Sequence, residues 1–520
     1  MVLTMPTANL EHSASSSHVT RSVLLIATFF VADKLLGVVR DGAISHAFGA
    51  SAALDAYYAA FELPDGLFTI VAGSAMATTL IPVLSARIAR GDREAVWRLV
   101  STVINLVLIV VACASAAAAL VAPQIIHVVA PGFGADQVVL AARLMRLVLL
   151  QTLVSSASGV VMSVLQAHQH FLLPAAAPMC YTLGRIAGAL VLAPRWGIFG
   201  LAWGGLAGTV GHFLVQTPGL VRYRARWWPT LRHPDLGPLL ALMGPRALGL
   251  GVTYLNFVLP TFLGSRLTGG AISAYEFAWR LMQFPETIIG TAVGLGVFPT
   301  LAERANAGDL RGLRRMASRA LRLVLALAVP AAVGMLVLGR PLIVLLFQRG
   351  QFDALATERT YWALQFLSVG LVGHCALEVA SRQFYARRDM WTPLWAALGG
   401  LAANAGLGWL LLPGLAQGAF ALSNSLGVCL QVAILLLVAR RRLGGVGEAG
   451  WGASLARTTV ASALMGGALI AWRAWFPGVG LLGASAGGLA VGGVTYALAA
   501  LLLGSVETRE VVKLLRRRDR

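Results

Sequence analysis

Runs of about 20 predominantly apolar residues recur along the whole chain, the length an α-helix needs to cross a bilayer. A transmembrane β-barrel would alternate apolar and polar residues instead. Of the 520 residues, 58% are hydrophobic and only 12% charged, with mean hydropathy +0.75. Soluble domains carry about 25% charged residues. The chain therefore reads as an all-α polytopic membrane protein. We count 14 spans, near 22–46, 54–85, 97–122, 136–165, 172–193, 198–218, 237–266, 270–300, 318–338, 357–385, 391–413, 416–438, 457–475 and 481–503. Residues 1–20, containing "EHSASSSHVT", are polar and are expected to form a disordered tail. The first apolar run is too long for a signal peptide and leads straight into further spans. Cys113, Cys180, Cys375 and Cys429 all fall in apolar runs and read as small core residues, with neither disulfide nor zinc spacing.

Positive charge alternates by loop. Loop 2–3 holds Arg87, Arg90, Arg93 and Arg98, and loop 6–7 holds Arg222, Arg224, Arg226 and Arg232. Loop 8–9 holds Arg304, Arg311, Arg314, Arg315 and Arg319, and loop 12–13 holds Arg440, Arg441 and Arg442. Loop 10–11 holds Arg387 and Arg388, and residues 506–520 form a basic tail. The intervening loops are nearly bare, apart from Arg340 and Arg349 in loop 9–10. By the positive-inside rule both termini are cytoplasmic, as an even span number requires. Topology and anionic membrane lipids explain the net charge of +19, and no nucleic-acid partner is needed.

Residues 69–92, "TIVAGSAMATTLIPVLSARIARGD", resemble residues 286–309, "ETIIGTAVGLGVFPTLAERANAGD". Gly73 aligns with Gly290, Ala75 with Ala292 and Pro82 with Pro299; Arg87, Gly91 and Asp92 align with Arg304, Gly308 and Asp309. Six spans separate the copies, so the two halves share one membrane orientation. Parallel repeats of this kind build transporters with substrate bound between the halves. The expected organisation is an N-lobe at 21–220 (spans 1–6), a pseudo-symmetric C-lobe at 237–440 (spans 7–12), and two further helices at 455–505.

Charges sit inside several apolar spans, among them spans 2 and 8, which define this repeat, and each costs at least a few kcal/mol there. In span 1, "TFFVADKLLGVVRDGAISHAFG", Asp33 and Arg40 are seven residues apart, as are Lys34 and Asp41. The two lines lie about 100° apart on a helix, so all four charges share one sector. That sector lines a wet cavity, or, for Arg40 and Asp41, lies at the outer interface. Span 2 carries Asp55, Glu62 and Asp65 around Pro64; span 8 carries Glu276, Arg280 and Glu286 around Pro285; span 10 carries His374 and Glu378. For Asp65 and Glu378, an ion pair that fixes helix packing is as good a reading as function. Lys34, Arg40 and Arg280 are assigned to an anion site; the planar guanidinium fork of the two arginines matches phosphate, and Lys34 adds a point charge. Asp33, Asp41, Asp55, Glu62, Glu276 and Glu378 are its cavity or gating partners, and Pro64 and Pro285 its hinges.

The stretch "DKLLGVVRDGAISHAFGASAALDAYYAAFELPD" resembles the opening of the MurJ (MviN) lipid II flippases of the MOP exporter superfamily. "RLMQFPETIIGTAVGLGVFPTLAE", "LFQRGQFDALAT" and "FYARRDMWTP" are similar to that family's span 8, loop 9–10 and loop 10–11 signatures. The likeness runs from about residue 22 to 440. It implies a 14-helix transporter of two six-helix lobes around a cationic cavity, with two extra helices forming a groove for the lipid tail. It implies transfer of undecaprenyl-pyrophosphate-linked peptidoglycan precursor from the inner to the outer leaflet. The family's cavity arginines fall on Lys34, Arg40 and Arg280, and its functional aspartate on Asp55. Three family positions differ: an arginine falls on Phe68, an acid on Gly73 and a lysine on Glu378. No acid occurs in span 7, "LGVTYLNFVLPTFLG", so no ion, metal or cofactor is assigned.

These features predict alternating access in the bacterial inner membrane by a monomer without enzymatic chemistry. No nucleotide-binding loop is present; the glycine-rich stretches are helix-packing motifs. The alternatives are a superfamily exporter of another polyprenyl-linked oligosaccharide, or of drugs or cations. A cation exporter would favour an acidic, aromatic cavity. A scaffold would not need buried Lys34 and Arg280, and a membrane enzyme would need a clustered acid pair or metal set.

Overall fold

The computed structural model describes residues 28–29, 31–71, 74–443, 450–476 and 480–509. The expected tail at 1–20, Gly73 and most of the basic tail at 506–520 lie outside them. The elements in chain order are α1 (residues 31–48), α2 (Ala52–Val71), α3 (Ser74–Ala89), α4 (Arg93–Leu120), α5 (Ala122–Val129), α6 (Ala135–Ala167), α7 (Leu172–Ala187), α8 (Ala193–Trp196), α9 (Ile198–Leu214) and α10 (Thr217–Arg222). They continue as α11 (Leu236–Gly264), α12 (Ala271–Glu286), α13 (Ala292–Asn306), α14 (Leu310–Phe347), α15 (Ala354–Ala386), α16 (Trp391–Leu415), α17 (Gln417–Leu443), α18 (Trp451–Trp475) and α19 (Leu481–Leu502). Among the described residues there is no strand. Eleven helices there are long and apolar enough to cross a membrane. The three other expected spans fall on α1, on α2 with α3, and on α11. At 38 residues α14 is about 57 Å long, well beyond the hydrocarbon thickness; its first turns carry Arg311, Arg314 and Arg315.

The chain forms two compact units. The first comprises residues up to Phe48, Ala56–Val129 and Gly134–Gly251; the second comprises Gly49–Asp55, Ala130–Phe133 and the chain from Val252 onward. The division falls inside α11.

In the first unit, α7 and α9 meet backbone to backbone. A Cβ on Gly204 would stand 2.4 Å from Gly188 Cα, and one on Gly184 would stand 2.4 Å from Gly208 Cα. Small residues at four-residue spacing allow this approach, so the glycines act as packing surfaces. Leu80, Leu84, Trp97, Val100, Val160 and Val164 form a core in the same unit.

In the second unit, Phe277 of α12 is fully buried against Phe347 and Phe352. α18 and α19 pack on each other and on α14, where Leu338, Met465 and Leu469 form an apolar cluster. The far end is clamped by polar contacts: Trp451 Nε1 donates to Ser318 Oγ at 2.7 Å, and buried Glu507 accepts from Ser454 Oγ at 2.9 Å.

The repeat reappears as local geometry. Asp92 (φ −82°, ψ 78°) caps α4, accepting the Ala95 N–H at 3.0 Å. Asp309 (φ −79°, ψ 76°) caps α14, accepting the Gly312 N–H at 2.7 Å. The glycines before them, Gly91 and Gly308, have φ of +76° and +70°, a region that disfavours side chains.

The cysteines depart from expectation. Cys375 is buried, but Cys113 and Cys429 are exposed on α4 and α17. An apolar run does not distinguish the faces of a helix in lipid, because both are apolar.

Candidate functional site

α1 is two-sided. Val31, Leu35 and Val39 form an exposed apolar line, each more than half accessible. Asp33 and Arg40 lie on roughly the opposite side of the helix. Asp33 Oδ1 accepts the Thr182 hydroxyl of α7 at 3.1 Å. Lys34 is exposed. Arg40 grips its sequence neighbour in a fork, Nε to Asp41 Oδ1 at 2.9 Å and Nη2 to Oδ2 at 3.1 Å. Asp41 is buried, while the Arg40 side chain keeps 20% of its surface accessible. Arg40 and Asp41 are thus joined across the two lines of span 1, whereas Lys34, expected to be buried, is exposed, because its side chain lies nearer the accessible Val31–Leu35–Val39 side of the helix.

One turn beyond Thr182 lies Arg185, only 8% exposed in the first unit. Its guanidinium sits 5.6 Å from the Tyr57 ring centroid, 5.9 Å from Phe61 and 5.7 Å from Tyr181. Aromatic faces attract a cation electrostatically, most strongly where water is excluded. The sequence reading passed over Arg185, although a lone arginine inside span 5 carried the same signal as those in spans 1 and 8.

In the second unit, Asp55 is buried at the start of α12. Its carboxylate accepts the Gly270 N–H at 2.6 Å and the Ser273 N–H at 2.7 Å. Asp55 thereby supplies from α2 the N-terminal cap that α12 lacks in its own sequence, at the end where a helix dipole favours negative charge. Further along α12, Arg280 Nη2 lies 3.5 Å from Glu276 Oε2, one turn earlier; these side chains are 18% and 29% accessible. On α15, Glu378 pairs with Arg382, which also donates to the Glu378 carbonyl. Arg382 lies across Gly294, where a Cβ would collide with its guanidinium at 2.4 Å. Arg382 was not singled out in the sequence. It places a cation one turn from Glu378, the position where the resembling family has lysine.

His374 Nε2 and Asn424 Oδ1 are 3.0 Å apart, and the Trp279 ring meets His374 edge-on at 5.2 Å. Glu62 is half-buried and Asp65 exposed on α2, which is continuous through Pro64. After Pro285 the helix loosens into a π turn, Thr287–Thr291. Proline removes a backbone donor, and such a widened turn relieves the local register. A second π turn, Gly188–Leu192, follows α7 and was not foreseen. Among the described residues no three His, Cys, Asp or Glu side chains group as a metal site would require.

The family model described as "Lipid II flippase MurJ" matches residues 44–488. The lipid II flippase MurJ of Burkholderia cenocepacia is 30% identical over 432 residues, covering 81% of this chain and 84% of that protein. A probable lipid II flippase MurJ of Vibrio cholerae is 27% identical, covering 95% of this chain and 98% of its own length. Among solved structures, a lipid II flippase MurJ in an inward closed conformation superposes with a TM-score of 0.79 at 20% identity, covering 94% of this chain and all of that one. An inward-facing multidrug-resistance MATE transporter of the MOP superfamily follows at 0.65 and 16% identity, covering 80% of this chain and 95% of its own.

Proposed function

Because this chain belongs to the lipid II flippase MurJ family, we propose that it carries lipid II, the undecaprenyl-pyrophosphate-linked peptidoglycan precursor, from the inner to the outer leaflet of the bacterial cytoplasmic membrane. The observation that carries this reading is the match across residues 44–488 in a chain that keeps arginines within its apolar helices. Both termini are cytoplasmic, following the arginine-rich loops. The transporter works as a monomer, with lobes at 21–220 and 237–440.

Lys34, Arg40 and Arg280 bind the pyrophosphate. Arg40 and Arg280 already hold carboxylates, Asp41 and Glu276, on their own helices. A carboxylate partner offsets much of the cost of a desolvated guanidinium and keeps its fork oriented. Phosphate oxygens then exchange with that carboxylate, so the site need not order two flexible side chains at the moment of binding. Glu62 and Glu378 adjust the charge around the head group, and Asp55 fixes where α12 begins. Bending at Pro64, and at Pro285 with its π turn, accompanies alternating access. α18 and α19 carry the lipid tail. Membrane potential acts on the net charge that moves, at about 2.3 kcal/mol per charge per 100 mV.

Complementation tests this assignment. Arg40→Ala and Arg280→Ala should each fail to support growth of a flippase-depleted bacterium while reaching the membrane at normal levels; Lys34→Arg should support it. Normal growth with both alanine variants rejects the anion site.

A further inference from the structure

The connection between α10 and α11 is tied down along α4, within the first unit. Ser101 Oγ donates to the Arg226 carbonyl at 3.3 Å and accepts the Trp228 N–H at 3.1 Å. Asn105 Nδ2 donates to the carbonyls of Trp228 and Thr230 at 2.9 and 3.0 Å. Its Oδ1 accepts the Trp227 indole N–H at 2.9 Å. Both ends of the Asn105 amide are thus spent on this strap, and the Arg98 guanidinium covers the Trp228 ring at 4.9 Å.

The strap reaches membrane depth. From Leu99 to Leu120, α4 carries no charge; that stretch is about 33 Å long, close to the hydrocarbon thickness. Within it Ser101 lies about 3 Å and Asn105 about 9 Å past its edge. The edge is on the arginine-rich side, with Arg87, Arg90 and Arg93. At this level the strap displays Trp227, 67% exposed, beside exposed Arg224 and Arg226. With its N–H consumed by Asn105, Trp227 offers only an apolar ring. Arg224 holds a left-handed φ of +53°, which bulky residues seldom adopt. A fixed tryptophan at the boundary, flanked by two arginines, combines the two elements that recognise a lipid head group: an interfacial aromatic and a cationic phosphate clamp.

We propose that this strap is a docking site for an anionic phospholipid of the leaflet on the arginine-rich side. Arg224 and Arg226 hold its phosphate, and Trp227 lies against its glycerol and upper acyl chain. The site is separate from the one assigned to the transported lipid and does not depend on what is transported.

The test is native mass spectrometry of the full chain in detergent, offered equal amounts of phosphatidylglycerol and phosphatidylcholine. Arg224→Gln with Arg226→Gln should weaken phosphatidylglycerol binding about thirtyfold, at about 1 kcal/mol per arginine near the surface. Arg311→Gln with Arg315→Gln removes the same charge elsewhere and should leave the tightest-bound lipid in place. Asn105→Ala removes no charge but frees the strap, and should also weaken that lipid. Equal losses in the two arginine pairs, or no loss on Asn105→Ala, would overturn the proposal. Lipid II binding measured on the same Arg224/Arg226 variant should be unchanged; its loss in place of phosphatidylglycerol would equally overturn it.

Discussion

Arg40 and Asp41 are neighbours in sequence and partners in space, joined by two hydrogen bonds of 2.9 and 3.1 Å on α1. In the proposed anion site, that carboxylate competes with a phosphate oxygen for the Arg40 guanidinium. Asp41→Asn removes that competitor while keeping the side chain's shape. A hydrogen bond to a charged group is worth about 1.5–3 kcal/mol. We expect the substitution to tighten equilibrium binding of lipid II by at least about tenfold and to slow turnover in reconstituted vesicles, because release becomes harder. Weaker binding with faster turnover would show that Asp41 does not compete with substrate.

The α7–α9 contact gives a stability prediction. A Cβ at Gly204 would stand 2.4 Å from Gly188 Cα and 2.5 Å from the Gly184 carbonyl, and neither backbone can swing aside. Gly204→Val should force the helices apart and lower thermal stability in detergent by about 1–3 kcal/mol, as overpacking does. Gly334→Ala, inside α14 where a Cβ meets nothing within 4 Å, is the control and should not lower the melting temperature, since alanine favours a helix over glycine.

The paired caps give a pH prediction. The Gly312 N–H and then Arg304 hold the Asp309 carboxyl below its ordinary value of 3.8. The folded carboxyl releases its proton more readily than the unfolded one, so its stabilisation is complete above 3.8 and fades as pH falls through the lower folded value. Asp309→Ala should therefore lower the melting temperature at neutral pH, and the gap to the parent protein should close in acid below 3.8. A gap that is constant with pH would show that the carboxylate charge contributes nothing to the cap.

The helical class, the repeat and the charged helices were all legible in sequence, because lipid makes length and charge unusually informative. Gly91–Asp92 and Gly308–Asp309 stood out as a pair, and their backbone angles agree closely. The role of Asp55 was less accessible: its partners, Gly270 and Ser273, lie more than 200 residues away. Face arithmetic put Arg40 and Asp41 on separate lines, but a long guanidinium bends across 100° of helix with ease. Arg185 and Arg382 went unnoticed for a different reason. Arg185 sits in span 5, outside the matched helices, and Arg382 lies near the end of span 10, where an arginine also reads as an interfacial charge. The π turns carry no composition signal beyond a nearby proline or glycine, and backbone register has to be observed.

The central claim is that arginines within apolar helices hold the pyrophosphate of a lipid. Its most direct test is native mass spectrometry of lipid II binding by the parent protein and by Arg40→Ala and Arg280→Ala, with undecaprenol, the same polyprenyl chain lacking phosphate, as competitor. The account predicts that the parent binds lipid II, that the phosphate-free lipid does not displace it, and that each substitution weakens binding by about tenfold or more, the loss of one charged hydrogen bond. Undiminished binding by both variants would contradict it.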